Sequence, residues 1–152
     1  MNANSFYLGD KTKKMNSAYF FEIKNVKDKI IEGEMEKALC RICKIDTYDY
    51  LAFFEDDEIE YVYLFLDDDI PHQIAVALEE LNILINFREA SNEVLTANLN
   101  KPFWSNWEAE SQEKIHRYIE QNLSLDHVLD KINLWGMDSL TELDWLKLKS
   151  DH

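Results

Sequence analysis

Apolar and polar positions recur along this chain with two different periods, and each change of period marks an element. Tyr48-Asp49-Tyr50-Leu51-Ala52-Phe53-Phe54 and Ile59-Glu60-Tyr61-Val62-Tyr63-Leu64-Phe65-Leu66 read as two strands joined by the acidic stretch Glu55-Asp56-Asp57-Glu58. An even-length loop pairs Phe54 with Ile59, Ala52 with Tyr61, Tyr50 with Tyr63 and Tyr48 with Phe65, and directly opposite residues share a face. Six aromatics then fall on one side of this ribbon, while Leu51, Phe53, Val62, Leu64 and Leu66 make the other side apolar too. Such a ribbon must be covered on both sides, or use one of them for binding.

Tyr19-Phe20-Phe21-Glu22-Ile23 reads as an earlier strand. From Val26 to Ile42 the period becomes helical: Val26, Ile30, Ile31, Met35, Ala38, Leu39 and Ile42 share a stripe, with Lys27, Lys29, Glu32, Glu36 and Lys37 elsewhere. Gly33, near the edge of that stripe, weakens the helix by about 1 kcal/mol relative to Ala and is expected to permit a close packing contact. Asp67-Asp68-Asp69 precedes Ile70-Pro71. A carboxylate cap at Asp69 with proline in the first turn starts a helix well, and its buried stripe would be Ile74, Ala77, Leu78 and Leu81. Residues 83–87 follow as a strand. The order β-α-β-β-α-β is the ferredoxin-like split βαβ arrangement. It predicts an α+β fold: a four-stranded antiparallel sheet with both helices on the Leu51/Phe53/Val62/Leu64 side.

The last third supplies a candidate cover for the aromatic side. Residues 88–102 read as loop, and Phe103, Trp104 and Trp107 cluster after Pro102. A helix is expected over about 111–121, burying Ile115, Tyr118 and Ile119. Ser124 caps another that carries Val128, Leu129 and Ile132, and Gly136 ends it. Thr141-Glu142-Leu143-Asp144 has the form of a capping box for a final helix with Trp145 and Leu146. All four Trp residues lie in this third, and some are expected to pack over the aromatic face, since six open aromatics exceed what a soluble monomer exposes. The expected organisation is a flexible leader over 1–17, an α+β sandwich core over 18–95, and a helical C-terminal extension over 103–152 that covers the sheet's other face.

Charge narrows the partners. With 30 Asp+Glu against 16 Lys+Arg the net charge is −14, a field that repels nucleic-acid phosphates and anionic lipid and favours a basic protein partner. No run approaches the ~20 apolar residues that cross a bilayer, so membrane insertion is not expected. No apolar stretch follows Lys11, Lys13 and Lys14, so no signal peptide is expected. Two Cys cannot build a disulfide framework, and a cytoplasmic location is the simplest inference.

Recognisable chemistry is sparse. Cys40-Arg41-Ile42-Cys43 falls at the C-terminal end of its helix, where the dipole disfavours a thiolate, and no second Cys or His pair completes a zinc site among His72, His116, His127 and His152. Asp46, Asp49, Asp67, Asp68 and Asp69 lack the calcium-loop pattern with its central Gly and read as solvated charge. Glu113-Lys114-Ile115-His116 is a single half-motif where a di-iron site needs two. Gly9, Gly33 and Gly136 are too dispersed for a phosphate loop. Aromatics on such a sheet suggest RNA platforms, but the charge opposes that use. No catalytic residue, metal or cofactor is therefore expected. The candidate binding residues are Tyr48, Tyr50, Tyr61 and Tyr63 on the aromatic face, with Asp56, Asp57 and Glu58 at the turn. The leading expectation is a non-catalytic acidic protein-interaction module, inhibitor- or immunity-like or an adaptor, with a basic protein partner. The alternative is a small-molecule-binding regulatory domain that uses the aromatic face, which needs a cavity of at least ~300 Å³ beside the tyrosines.

Residues 128–150 add a resemblance. They hold Leu129-Asp130-Lys131-Ile132, then Gly136, Ser139-Leu140-Thr141, an acidic pair, Leu146 and Ser150. This resembles a short bacterial C-terminal module found on the cytoplasmic tails of some rhomboid-type membrane proteases and on other proteins. The module's usual Glu-Glu is here Glu142-Leu143-Asp144. The resemblance implies a bacterial protein with a helical hairpin tail. It implies no protease activity, because the chain lacks apolar spans and a Gly-x-Ser-Gly nucleophile.

Overall fold

The computed structural model describes residues 15–150. The leader expected over 1–17 lies outside the described residues as far as 14, as does His152. Met15, by contrast, is 1% exposed and sits in the main core.

Among the described residues, β1 (Tyr19–Lys24), β2 (Leu51–Glu55), β3 (Ile59–Leu64) and β4 (Leu84–Glu89) form one antiparallel sheet in the order β2-β3-β1-β4. Helix α1 (Lys29–Ile42) separates β1 from β2, and α2 (Ile70–Glu80) separates β3 from β4. The chain is thus α+β. Cross-strand partners place Phe20, Glu22, Ala52, Phe54, Tyr61, Tyr63 and Arg88 on one face. Tyr19, Phe21, Phe53, Val62, Leu64 and Phe87 lie on the other, where His72 of α2 meets the Tyr19 and Phe87 rings edge-on at 5.4 Å and α1 packs beside α2.

The hairpin register differs from the expected one by two residues. Leu51 opposes Leu64, Ala52 opposes Tyr63 and Phe54 opposes Tyr61. Asp56 is the cause: its Oδ1 accepts the Glu58 and Ile59 N–H groups at 2.9 and 2.7 Å, and its own N–H donates to Ile59 O at 3.0 Å. The loop tightens to Asp57-Glu58, and Glu55 and Glu60 are drawn into the ladder. A slip of two preserves the alternation, so the faces keep their predicted character.

The start of β2 is a second correction. Tyr48 and Tyr50 belong to a 3-10 turn over Ile45–Tyr50, closed by Thr47, which donates its N–H to Lys44 O and accepts the Lys44 N–H on Oγ1. Tyr63 pairs with Ala52, Tyr50 O accepts the Phe65 N–H at 2.9 Å, and Tyr48 is left outside the ladder.

Smaller differences follow from local hydrogen bonding. Asp28 caps α1 by accepting the Ile30 and Ile31 N–H groups, which starts the helix after Val26 and leaves Ile30 79% exposed. A Cβ on Gly33 would meet nothing within 4 Å, so the close contact expected there does not exist. At α2 the first N–H, that of Ile70, is accepted by Asp68, while Asp69 accepts from the Gln73 amide. Residues 88–102, read as loop, contain α3 (Ser91–Leu95), anchored where Ser91 Oγ accepts the Ala18 N–H and donates to Glu89.

The C-terminal third continues with α4 (Pro102–Ser105), α5 (Ala109–Asn122), α6 (Leu125–Trp135) and α7 (Glu142–Ser150). Helix α5 runs along the outer edge of β2. Ser111 Oγ exchanges hydrogen bonds with Phe53 N and O at 3.2 Å, Lys114 Nζ donates to Tyr48 O and Leu51 O, and Arg117 donates to Asp49 O. Spacing of three puts these side chains in one row. The bonds to Leu51 and Phe53 satisfy outward backbone groups of an edge strand, which would otherwise recruit another chain, and those to Tyr48 and Asp49 hold the turn before it. Phe53 lies on this edge strand and stays 44% exposed.

Helices α6 and α7 form a hairpin. Gly136 ends α6 at φ 87°, in the left-handed region. The expected capping box at α7 is present, with Asp144 Oδ2 accepting the Thr141 N–H at 2.7 Å and Thr141 Oγ1 accepting the Asp144 N–H at 3.4 Å. Lys131 of α6 donates to the same Asp144 oxygen at 2.7 Å, with side chains 4% and 2% exposed.

Glu60 carries a testable cost. Its burial, and then the neighbouring Glu55, raise its carboxyl above the ordinary value. A raised folded value stabilises the protein only while the group is protonated, so that contribution is lost as pH rises through it. Glu60→Gln is therefore expected to melt higher than wild type at pH 7. The gap should close below about pH 4, where both states are protonated. Thermal melts from pH 3 to 8 test this; a gap constant across the range would count against it.

Candidate binding cleft on the aromatic sheet face

Three short segments converge on the face formed by Phe20, Tyr61 and Tyr63. Helix α4 is opened by Pro102, whose fixed φ suits a first helical position. It sets the Trp104 ring parallel to Tyr63 at 5.3 Å and Phe103 edge-on to Tyr61 at 5.6 Å. Trp107, just past it, stacks on Phe54 at 6.0 Å and meets Tyr63 at a tilt at 5.5 Å. From α6, Trp135 donates its indole N–H to Thr96 O at 3.0 Å. The expected lid is thus built from Trp104 and Trp107, with Trp135 at its border. Trp145 is 42% exposed and does not line the cleft.

The lid leaves a cleft of about 640 Å³, twice the volume the ligand reading required. Its apolar walls are Phe20, Tyr61, Phe103, Trp104, Leu134 and Trp135. Its polar groups include Glu22, Tyr63, Arg88, Glu93, Asn98 and Lys101. Arg88 holds Glu93 through two hydrogen bonds, 3.1 and 2.7 Å, while its guanidinium lies 4.4 Å from the Phe20 ring centre. Lys101 Nζ sits 5.7 Å from the Trp135 ring. Tyr63 is 1% exposed. Burial, followed by the Glu93 carboxylate, pushes its hydroxyl well up; Arg88 opposes this and Glu22 adds to it. These three charged groups therefore surround the hydroxyl.

Of the sequence-expected residues, two line this cleft, three stand at the hairpin turn, and Tyr48 and Tyr50 lie at neither. Tyr61 and Tyr63 line the cleft. Tyr48 is 57% exposed on its turn, and Tyr50 is buried, with the Arg117 guanidinium 5.9 Å from its ring. Asp56 and Asp57 line a separate groove of about 560 Å³ with Asn25, Phe53, Phe54, Glu55, Asn106 and Glu108. Glu58 stands on the turn beside it. Asp56 is committed to the turn itself, whereas Glu55, Asp57 and Glu108 have no cation lining the groove with them.

Sequence reasoning missed Glu22, Arg88, Glu93 and Lys101. Strand alternation alone places Phe20 and Glu22 together, so half of the cleft floor was within reach of the β1 pattern. Arg88 comes from β4, Lys101 from the start of α4, and Glu93 from α3, a five-residue helix without a readable period.

Cys40 is exposed, and Cys43 is partly buried, with its thiol raised by that burial and by Cys40. Among the described residues no three His, Cys, Asp or Glu side chains are placed to hold a metal ion, and no helix is long and apolar enough to cross a membrane. No protein-family model, no curated protein and no solved structure matches this chain.

Proposed function

We propose that the protein is a non-catalytic interaction module that binds a basic protein partner at the hairpin end. The carrying observation is the 560 Å³ groove, in which four carboxylates and the Phe53 and Phe54 rings line one space without a Lys or Arg. An Arg or Lys side chain is complementary to it: the aliphatic stem lies against the rings and the head reaches Glu55, Asp57 and Glu108. The overall charge of −14 supports the same partner by accelerating encounter. In this reading the sheet is of the ferredoxin-like class, since β-α-β-β-α-β order supports that assignment. The protein works in a bacterial cytoplasm as an inhibitor or adaptor, without nucleic acid. The α6–α7 hairpin is the module it resembles, a further contact surface with Leu134 and Leu146 exposed.

The test is a titration of the protein with acetyl-arginine amide and with its uncharged analogue acetyl-citrulline amide, followed by amide chemical shifts. The arginine compound is expected to move the signals of residues 53–57 and 106–108. Salt at 0.5 M and the Asp57→Lys/Glu108→Lys variant should both reduce the effect, because exposed charge pairs are screened. Equal response to the citrulline compound, or shifts confined elsewhere, would overturn the proposal.

The 640 Å³ aromatic cleft favours a second reading, a small-molecule-binding regulatory domain.

A further inference from the structure

We infer that the aromatic cleft binds a flat heteroaromatic amine: a ring system with an N–H donor edge, uncharged or cationic, and no anionic group. This rests on the small-molecule reading and names its ligand.

The walls select a flat ring. Trp104 already stacks parallel to Tyr63, and Phe103 stands perpendicular to both Trp104 and Tyr61, at 5.1 and 5.6 Å. Ring faces and edges are thus presented to one space, which suits a planar guest. The volume lies within the range of small-molecule sites.

The polar groups select the guest's edge. Arg88 and Glu93 satisfy each other. Glu22, half-buried on β1 opposite Tyr61, makes no hydrogen bond or ion pair among the described residues. A carboxylate only accepts, so Glu22 is available to a donor on the guest. Tyr63 is 99% buried, lines the cleft, and its hydroxyl also lacks a hydrogen bond among the described residues. That hydroxyl opens on the cleft, where a ligand atom can accept its hydrogen bond. Kept protonated by its surroundings, Tyr63 can donate to a ring nitrogen while Glu22 accepts from an adjacent amine. That donor–acceptor pair is the edge pattern of an aminopyrimidine or aminopurine ring. The charge of −14 argues against an anionic guest, and so against a phosphorylated one.

The experiment uses the full chain and three probes: adenosine, adenosine monophosphate and toluene. Binding is read from amide and indole N–H chemical shifts. Adenosine is expected to shift the Trp104 and Trp135 indole signals and the amides of 61–63. Adenosine monophosphate should bind at least tenfold more weakly, and toluene should show no saturable binding. Glu22→Gln and Tyr63→Phe should each weaken adenosine by tenfold or more, while their amide spectra and melting temperatures stay near wild type. Tighter binding of the monophosphate or of toluene, or unchanged adenosine affinity in both variants, would overturn the ligand class while leaving the cleft a binding site. No shift at the two indoles with any probe would overturn the small-molecule reading itself.

Discussion

Replacing Asp144 by Ala is expected to destabilise the protein by about 3–5 kcal/mol, the range for breaking a buried ion pair from one side. The Lys131 ammonium would remain 3% exposed with no counter-charge. The Thr141 N–H and Oγ1 groups, which Asp144 accepts at 2.7 and 3.0 Å, would lose their acceptor as well. The loss should fall on the α6–α7 hairpin, because both partners lie there. The pair itself need not be strongly stabilising. Two charges removed from water cost much of what their attraction returns, and apolar replacements of similar volume are often neutral or better. Lys131→Met combined with Asp144→Asn keeps the volume and retains a carbonyl oxygen for the Thr141 N–H. This double variant should recover most of the single variant's loss. Urea unfolding followed by far-ultraviolet circular dichroism decides the matter. A loss below 1 kcal/mol for Asp144→Ala, the value of an exposed pair, would mean that water reaches Lys131 in solution.

Trp107→Ala is expected to cost about 3–5 kcal/mol, whereas Trp107→Phe should cost less than half as much. Trp107 is 2% exposed and its ring meets Tyr63, Phe54, Phe103 and Trp104 within 6.1 Å. Truncation to Ala therefore opens a cavity between the lid and the sheet. Its indole Nε1–H, however, is buried without a hydrogen-bond partner. An unsatisfied donor of this kind costs roughly 1–3 kcal/mol. Phenylalanine keeps the stacking and deletes the orphan donor, so the two effects oppose each other. Urea midpoints for the two variants measure the difference. Equal losses would show that the indole N–H finds water in the folded protein.

The two variants bear on function differently. Trp107 holds the lid on the sheet but does not line the cleft, so Trp107→Phe should leave ligand binding unchanged. Asp144 lies on the hairpin whose first helix carries Leu134 and Trp135, one wall of the cleft. Loosening that hairpin should weaken binding there without affecting the acidic groove, which is lined from β2, the turn and the segment after α4. The two sites can thus be separated by mutation.

Much of the architecture was legible because it depends on period alone. Alternation in β1, β2 and β3 assigned each side chain to a face, and that assignment survived a two-residue error in register, since strand side chains repeat every two residues. The aromatic surplus on one face likewise required a cover, and the tryptophans after Pro102 supplied it. Where the reading failed, a side chain had competed for the backbone locally. Asp56 shortened the hairpin loop, Thr47 wound Tyr48 and Tyr50 into a turn, and Asp28 delayed α1 until Ile30 faced water. Asp and Thr at such positions offer the backbone an alternative partner, and a period says nothing of which offer is taken.

From its own order of residues the chain determined an α+β sandwich, a sheet apolar on both faces, a dense negative charge and an aromatic cover. Tertiary structure alone decided how well that cover fits. Trp104 and Trp107 close part of the sheet, while Glu22, Tyr63 and the Arg88–Glu93 pair hold polar groups where apolar packing would have sealed the rest. Whether a face becomes core or cleft depends on which distant side chains arrive there together. The sequence positions 22, 63, 88, 101 and 135 share neither a period nor a motif, only a location.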